Sequence, residues 1–546
     1  MTLMDAPVTD VQGDQTSSSA IDHRRTANYK PTPWTYEFIQ SLRNDYGEEA
    51  HVERVLVLKS DVFRLLNEVT QPLEKLQLID TLEHLGLEYV FEEEIEEALD
   101  NLMPVEDLHC VALYFKLLRR HGREVSSDVF ENYEKQIDCM DAKGLLSLYE
   151  ASQLGFVAET VMEEIKEVAV RRLMETLNGS TDPIVVKQVE HALEVPLQRR
   201  LPLMEARWYL DIYEKEDNRS ALLLELAKLA FNIGQAAFQG DIKVVSSWWK
   251  SLDLGVKMRF VRDRCMESFL CAAGMFPEPG LAICRKQLTK IFKLIVVIDD
   301  LYDVYGKLDE LEVFTEAVQR WDASAVNQLP DFMRTCFGAL LDTCKEIADY
   351  AYLRQGKQID PILAKGWSDI TEAFLREARW FNSGYVPSFE EYIETACISS
   401  SGALILTHTY VLLDLKIKDE ELQFLQSYPD TLRSSSMIFR LCNDLATAKA
   451  EAERGDAPGC IECYMRETGE SEEQARAYVE SLIDKSWKTL TEETLARSTM
   501  PKPFNKIVLN LCRAVQATYQ DGDGYGAPGR RMKRLITSIL VKQIHI

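Results

Sequence analysis

LQLIDTLEHLGLEYVFEEEIEEAL, residues 76–99, places Leu78, Leu82, Leu85 and Val90 at helical spacing with glutamates between them. That period predicts amphipathic helix, and Gly86 reads as the point where the helix stops. The same period returns in VALYFKLLRRHG (111–122), LLSLYEAS (145–152), VMEEIKEVAVRRLMETL (161–177) and ALLLELAKLAFNIGQAAFQ (221–239). No run of alternating strands joined by hairpin turns interrupts them, so the expected fold is all-α. No repeat of fixed period is present, which argues against a solenoid.

The chain has 546 residues, 46% hydrophobic and 27% charged, the balance of an ordinary globular protein with a large core. A formal charge of -26 repels phosphate backbones and argues against a nucleic-acid partner. No apolar window approaches the roughly 20 residues of a bilayer span, so no membrane span is expected. The twelve cysteines lack the paired spacing of a zinc-ligand set or a disulfide framework, which fits a reducing compartment. Residues 1–23 carry four aspartates and neither Lys nor Arg, and read as a disordered tail without a secretory h-region. The polar stretch YEKEDNRSA (213–221) is the expected boundary between an N-terminal helical domain, 24–219, and a C-terminal one, 220–546.

Three clusters carry candidate chemistry. LIVVIDDLYDVYG (294–306) runs from an apolar helix into Asp299, Asp300 and Asp303. On a helix Asp299 and Asp303 share a face while Asp300 turns about 100° away, so two carboxylates offer hard oxygen ligands at the mouth of a dry cavity. FRLCNDLATAKAEAERGD (439–456) sets Asn443, Thr447 and Glu451 on one face over two turns. An amide, a hydroxyl and one carboxylate suit a cation whose other ligands are waters and a substrate phosphate. Arg262 and Arg264 in FVRDRCMES (260–268), with Arg440 and Arg454 flanking the Asn443 helix face, supply guanidinium forks for phosphate oxygens. A looser acidic pattern at Glu92, Glu93 and Glu96 reads as a solvated helix face.

In order and spacing, Arg262-Asp263-Arg264, Asp299-Asp300-x-x-Asp303 and Asn443-Asp444-x-x-x-Thr447-x-x-x-Glu451 resemble the RxR, DDxxD and NSE/DTE motifs of plant class I terpene synthases. EARW (205–208), YDVYG (302–306), ISSSG (398–402) and YQDGDGYG (519–526) extend the likeness. Arg24-Arg25, eight residues, then Trp34 resembles the RRx8W element of the monoterpene branch, whose N-terminal segment closes over the active-site mouth.

The resemblance implies a C-terminal α-bundle catalytic domain behind a non-catalytic helical domain, with no DxDD acid motif for protonation-initiated chemistry. It also implies that Asp299 and Asp303, with Asp300 behind them, and Asn443, Thr447 and Glu451 hold three Mg²⁺, for which Mn²⁺ can substitute. Arg262, Arg264, Arg440 and Arg454 would bind the diphosphate of a prenyl diphosphate, and Arg24, Arg25 and Trp34 would form the lid. Phe269, Cys271, Ala272, Tyr302, Ser400, Phe439, Tyr519 and Tyr525 are the expected cavity wall. Asp444 and Asp523 are expected to help deprotonate the final cation. Geranyl diphosphate is the expected substrate, with farnesyl diphosphate or dimethylallyl diphosphate as alternatives and a prenyl transferase as a distant one. A Trp usual in the family is Cys271 here and Ala272 is apolar, while Phe269, Ser400 and Phe439 resemble isoprene and acyclic monoterpene producers, although Gly459 stands where those often have Asn. Together these point to an acyclic or simple product. The expected protein is a monomer or homodimer of the plastid stroma, or of the cytosol.

Overall fold

A computed structural model describes residues 24–546 apart from Thr26, Asn28, residues 103–106, Asn132 and Arg259. The expected tail, 1–23, lies outside the described residues. Among those described, every regular element is helical.

The stretch at 76–99 shows how the sequence sets the elements. Helix Pro72–His84 opens with Pro at its first turn, and Gly86 at φ +72° ends it. Gly86 N–H donates to Glu83 O (3.0 Å) and Leu87 N–H to Leu82 O (2.8 Å), so two terminal carbonyls are satisfied by a left-handed stop. Glycine is required twice over, since a Cβ here would lie 2.8 Å from Ala206 Cβ. The buried face is Leu76, Ile79 and Leu82, not the expected one through Leu78 and Val90, which are half-buried. Because the helix stops at His84, the apolar phase restarts in Glu88–Val90 and Glu92–Asp100, and one face cannot be carried across the whole stretch.

Within the polar stretch at 213–221, residues 214–220 connect helices Pro202–Tyr213 and Ala221–Leu252. The apolar core does not divide there. One core joins Leu58, Val62 and Leu82 to Phe238 and Ile242 of the long helix and to Ile536 and Leu540 near the C-terminus. A second, Leu108 to Ala192, is built from N-terminal residues with Leu495 packed against it, and a third, Trp249 to Val515, surrounds a cavity of about 400 Å³. Ala221–Leu252 is thus shared between the two halves.

By length and composition alone Ala221–Leu252 could cross a membrane, which the sequence reading missed. It runs instead through protein, and its buried side carries Asn232, Gln235 and Gln239. Their amides grip the C-terminal tail: Asn232 Nδ2 donates to Ile544 O (2.7 Å), Gln235 Nε2 to Ile539 O (2.9 Å) and Gln239 Nε2 to Leu540 O (3.0 Å). Spaced at i, i+3 and i+7, the three form one polar stripe in an apolar helix, each donating an amide N–H to a backbone carbonyl of the tail.

Candidate active site

Helix Ala282–Asp300 is buried through nearly its whole length and then widens into a π-helical turn, Leu301–Tyr305. Gly306 N–H closes that turn on Leu301 O (2.8 Å), and a Cβ on Gly306 would lie 2.5 Å from Leu311 Cδ2. The wide turn leaves Asp299 and Asp303 on the same side, both lining a cavity of about 400 Å³ whose apolar wall includes Phe292, Ile295 and Val296. Asp300 points away, fully buried, where its carboxylate accepts Arg262 N–H (2.8 Å) and pairs with Arg262 Nε (2.8 Å). It holds Arg262 from behind the rim.

Asn443, Thr447 and Glu451 of helix Asp430–Arg454 line the same cavity. So do Arg262, Arg440 and Arg454. Arg262 pairs with Asp299, Arg440 Nη2 donates to Ser399 Oγ (2.8 Å), and Arg454 Nε donates to Asp456 Oδ2 (2.8 Å). Asp444 accepts Tyr392 Oη–H (2.7 Å) and Cys460 N–H (3.0 Å), with Arg440 Nη1 at 3.6 Å from its other oxygen.

Arg264 does not line the cavity. Only 1% exposed, it donates to Tyr525 O (2.9 Å), Gly526 O (2.9 Å), Lys30 O (3.1 Å) and Asp263 O (2.9 Å), so its guanidinium ties the 519–526 loop to the N-terminal strap, the segment that carries Arg24, Arg25 and Lys30. Tyr519, the last residue of helix Lys502–Tyr519, and Asp523 and Tyr525 on that loop do line the cavity. Asp523 Oδ1 accepts Tyr525 N–H (3.1 Å) and Gly526 N–H (2.6 Å), and the Tyr525 hydroxyl is hydrogen-bonded to Ser268 Oγ.

Cys271, Tyr302, Ser400 and Phe439 are on the wall as expected. Phe269 and Ala272 are not. Both are fully buried elsewhere, Phe269 edge-on to Phe238 with ring centroids 6.4 Å apart and Ala272 in the third core. Helix Cys265–Met275 presents Cys271 to the cavity, and residues one and two positions away fall about 100° and 200° around the axis. The lid divides similarly. Arg24 forks onto Glu310 (2.6 and 2.8 Å) and lies over the Tyr305 ring (4.8 Å), while Arg25 reaches Asp456 (2.6 Å) and Asp303 O (3.2 Å). Trp34 instead packs against Phe38 at 5.4 Å, beside the core shared by the two halves.

Sequence reasoning missed Glu377, Tyr29 and Tyr392, all on the cavity wall. Glu377 accepts Ser399 Oγ–H (2.6 Å) and lies 4.0 Å from Arg440. Its signal was one acid, flanked by Arg376 and Arg379, inside the AFLREARWF frame, residues 373–381. Tyr29 stands 4.8 Å below the Arg262 guanidinium. The sequence also holds one CxxC, Cys460 to Cys463, but both thiols are buried, and burial pushes that of Cys463 up to about 12.

The electrostatics explain what the cavity can hold. Burial, with repulsion from Asp299, pushes Asp300 up to about 6 against the pull of Arg262. Burial and Asp444 push Glu451 up to about 7. Asp303 is open to the cavity, yet the surrounding walls withdraw enough water to raise it well above the carboxylate range, with Asp299 and Glu377 adding repulsion. Carboxylates crowded and dehydrated in this way are relieved by a divalent cation, and the donors are all oxygen, so the residues fit a hard metal ion.

Residues 33–193 match the terpene synthase N-terminal domain and residues 250–489 the metal binding domain of the terpene synthase family. A geraniol synthase, chloroplastic, of Cinnamomum tenuipile is 43% identical, with 96% of this chain and 89% of that protein covered. The crystal structure of a limonene synthase with 2-fluorolinalyl diphosphate superposes with a TM-score of 0.92 at 36% identity, covering 96% of this chain and 100% of that one. Isoprene synthase from grey poplar, Populus x canescens, in complex with three Mg²⁺ ions and dimethylallyl-S-thiolodiphosphate, superposes at 0.84 with 39% identity over 94% of this chain and 99% of that one. With both domains matched, and carboxylates, amide and guanidinium groups converging on one apolar-walled cavity, the chain belongs to the terpene synthase family.

Proposed function

We propose that this protein is a monoterpene synthase that ionises geranyl diphosphate and converts the resulting allylic cation to a simple product, releasing diphosphate. The observation that carries this reading is the shared cavity: Asp299 and Asp303 on one helix, Asn443, Thr447 and Glu451 on another, and Arg262, Arg440 and Arg454 around them. Those carboxylates, amide and hydroxyl would hold Mg²⁺, three ions in keeping with the grey poplar isoprene synthase complex, or Mn²⁺ in its place, supplying Lewis-acid charge to the departing diphosphate. Arg262, Arg440 and Arg454 add fixed positive charge in a water-poor site, where it favours the separated diphosphate over the intact ester. Arg24 and Arg25 tie the strap to Glu310 and Asp456 across the mouth, excluding water that would quench the cation early.

Below the rim the wall is Tyr302, Phe374, Phe439, Tyr519 and Tyr525, whose ring faces stabilise positive charge without attacking it. Cys271 interrupts that wall. Its thiol lies 3.7 Å from Thr518 Oγ1 and is pushed up to about 11 by burial, so it stays neutral and stabilises a cation less than an indole would. Cys271→Trp is expected to move the product mixture toward cyclic species, by about tenfold in the cyclic to acyclic ratio; gas chromatography of the two product sets checks it, and an unchanged profile refutes the role.

The chloroplastic relative favours the plastid stroma over the cytosol. The deciding experiment incubates enzyme and Mg²⁺ separately with dimethylallyl, geranyl and farnesyl diphosphates. Geranyl diphosphate is expected to give the highest kcat/KM, and preference for the C5 or C15 substrate overturns the monoterpene reading.

A further inference from the structure

A second cavity, of about 80 Å³, lies between the N-terminal helices and helix Lys502–Tyr519, on the side of that helix away from the active site. It has room for several water-sized particles. Four glutamates border it, and each is already paired: Glu83 with Arg120 (2.9 Å) and His121 (2.9 Å), Glu88 and Glu278 with Lys506 (3.3 Å each), and Glu205 with Arg200 (2.7 Å) and His84 (3.1 Å).

Arg513 also lines the cavity, at 6% exposure, and among the described residues no carboxylate lies within ion-pair distance of it. Its three hydrogen bonds go to neutral oxygens, Gln198 O (2.8 Å), Gln198 Oε1 (3.2 Å) and Asn510 Oδ1 (2.9 Å). Burial, and after it repulsion from Arg120, pushes this guanidinium down to about 9, with Glu88 and Glu83 opposing. Burial opposes charge on His84 and His121, but Asp80 beside the first and Glu83 beside the second raise both above the ordinary imidazole value. A buried guanidinium without a direct carboxylate partner is costly, and a small anion in the adjoining space would offset that cost.

We propose that this inter-domain cavity binds a small monovalent anion of the halide class, held by Arg513 with Arg120 nearby. Glu278 Oε2, buried without a hydrogen-bond partner, marks the end of the cavity that takes water instead. The site sits behind the catalytic wall, because Leu511, Ala514, Val515 and Thr518 on the same helix line the active cavity. An anion there braces that wall through Arg513.

Two measurements test it. Replacing gluconate by chloride at constant ionic strength is expected to raise the Tm of the full chain by about 2 °C, with no chloride-specific rise in Arg513→Gln. Crystals of the unaltered protein grown in bromide are expected to show an anomalous peak beside the Arg513 guanidinium, which keeps the test independent of how well the variant folds. Equal Tm in both salts, the same chloride effect in Arg513→Gln, or a bromide map without that peak each overturns the proposal and leaves the cavity to water.

Discussion

Asp299→Ala is expected to lower kcat on geranyl diphosphate by about 10³-fold or more at saturating Mg²⁺, with little change in Tm. The expectation follows from position. Asp299 is half-exposed, lines the rim with Asp303, and takes no part in the apolar packing of its helix, so its loss leaves no cavity in a core. The residue it pairs with is Arg262, whose guanidinium keeps Asp300 as a second anchor. Truncation therefore removes a ligand oxygen without freeing the arginine. Single-turnover release of diphosphate, measured beside circular dichroism, checks both halves, and full activity in the variant would refute the metal assignment.

Arg264→Lys makes a different demand. If Arg264 served as a phosphate ligand, lysine would keep the charge and mostly raise KM. Its observed bonds instead join Tyr525 O, Gly526 O and Lys30 O around one planar group, a geometry that a single ammonium cannot reproduce. The expected result is a fall in kcat of about 10²-fold, a stability loss of about 3 kcal/mol from stranded carbonyls, and faster proteolysis within 519–530. Limited digestion followed by mass mapping reads the last effect. A pure KM change with unaltered digestion would assign Arg264 to the diphosphate after all.

The contrast between Arg262 and Arg264 shows where reading the chain reached its limit. Helical spacing was enough to bring Asp299 to Asp303 and Asn443 to Glu451, because side-chain direction inside a helix follows from the period. Arg262 and Arg264 precede the first residue of helix Cys265–Met275, where no period applies, and they diverge. Phe269 and Ala272 failed for a related reason: the helix was legible, but its rotation about its own axis depends on what it packs against. Glu377 escaped because a lone acid has no spacing partner, and its meaning comes from Ser399 and Arg440 on other helices. The all-α class was legible from periodicity alone. The sharing of Ala221–Leu252 between the two halves was not, since it depends on residues some 300 positions away.

That long-range grip also constrains the order in which the molecule can form. Asn232 and Gln239 find their partners at Ile544 and Leu540, 312 and 301 residues downstream. During synthesis the groove on Ala221–Leu252 therefore stays wet, and its amides keep water as their partner, until residues 530–546 have left the ribosome. The same segment follows directly on the loop bearing Asp523 and Tyr525. A nascent chain can collapse early around the helices bearing Asp299 and Asn443, but the 519–526 loop gains a fixed far end only once the tail has docked on Asn232 and Gln239, so that part of the cavity wall is completed last.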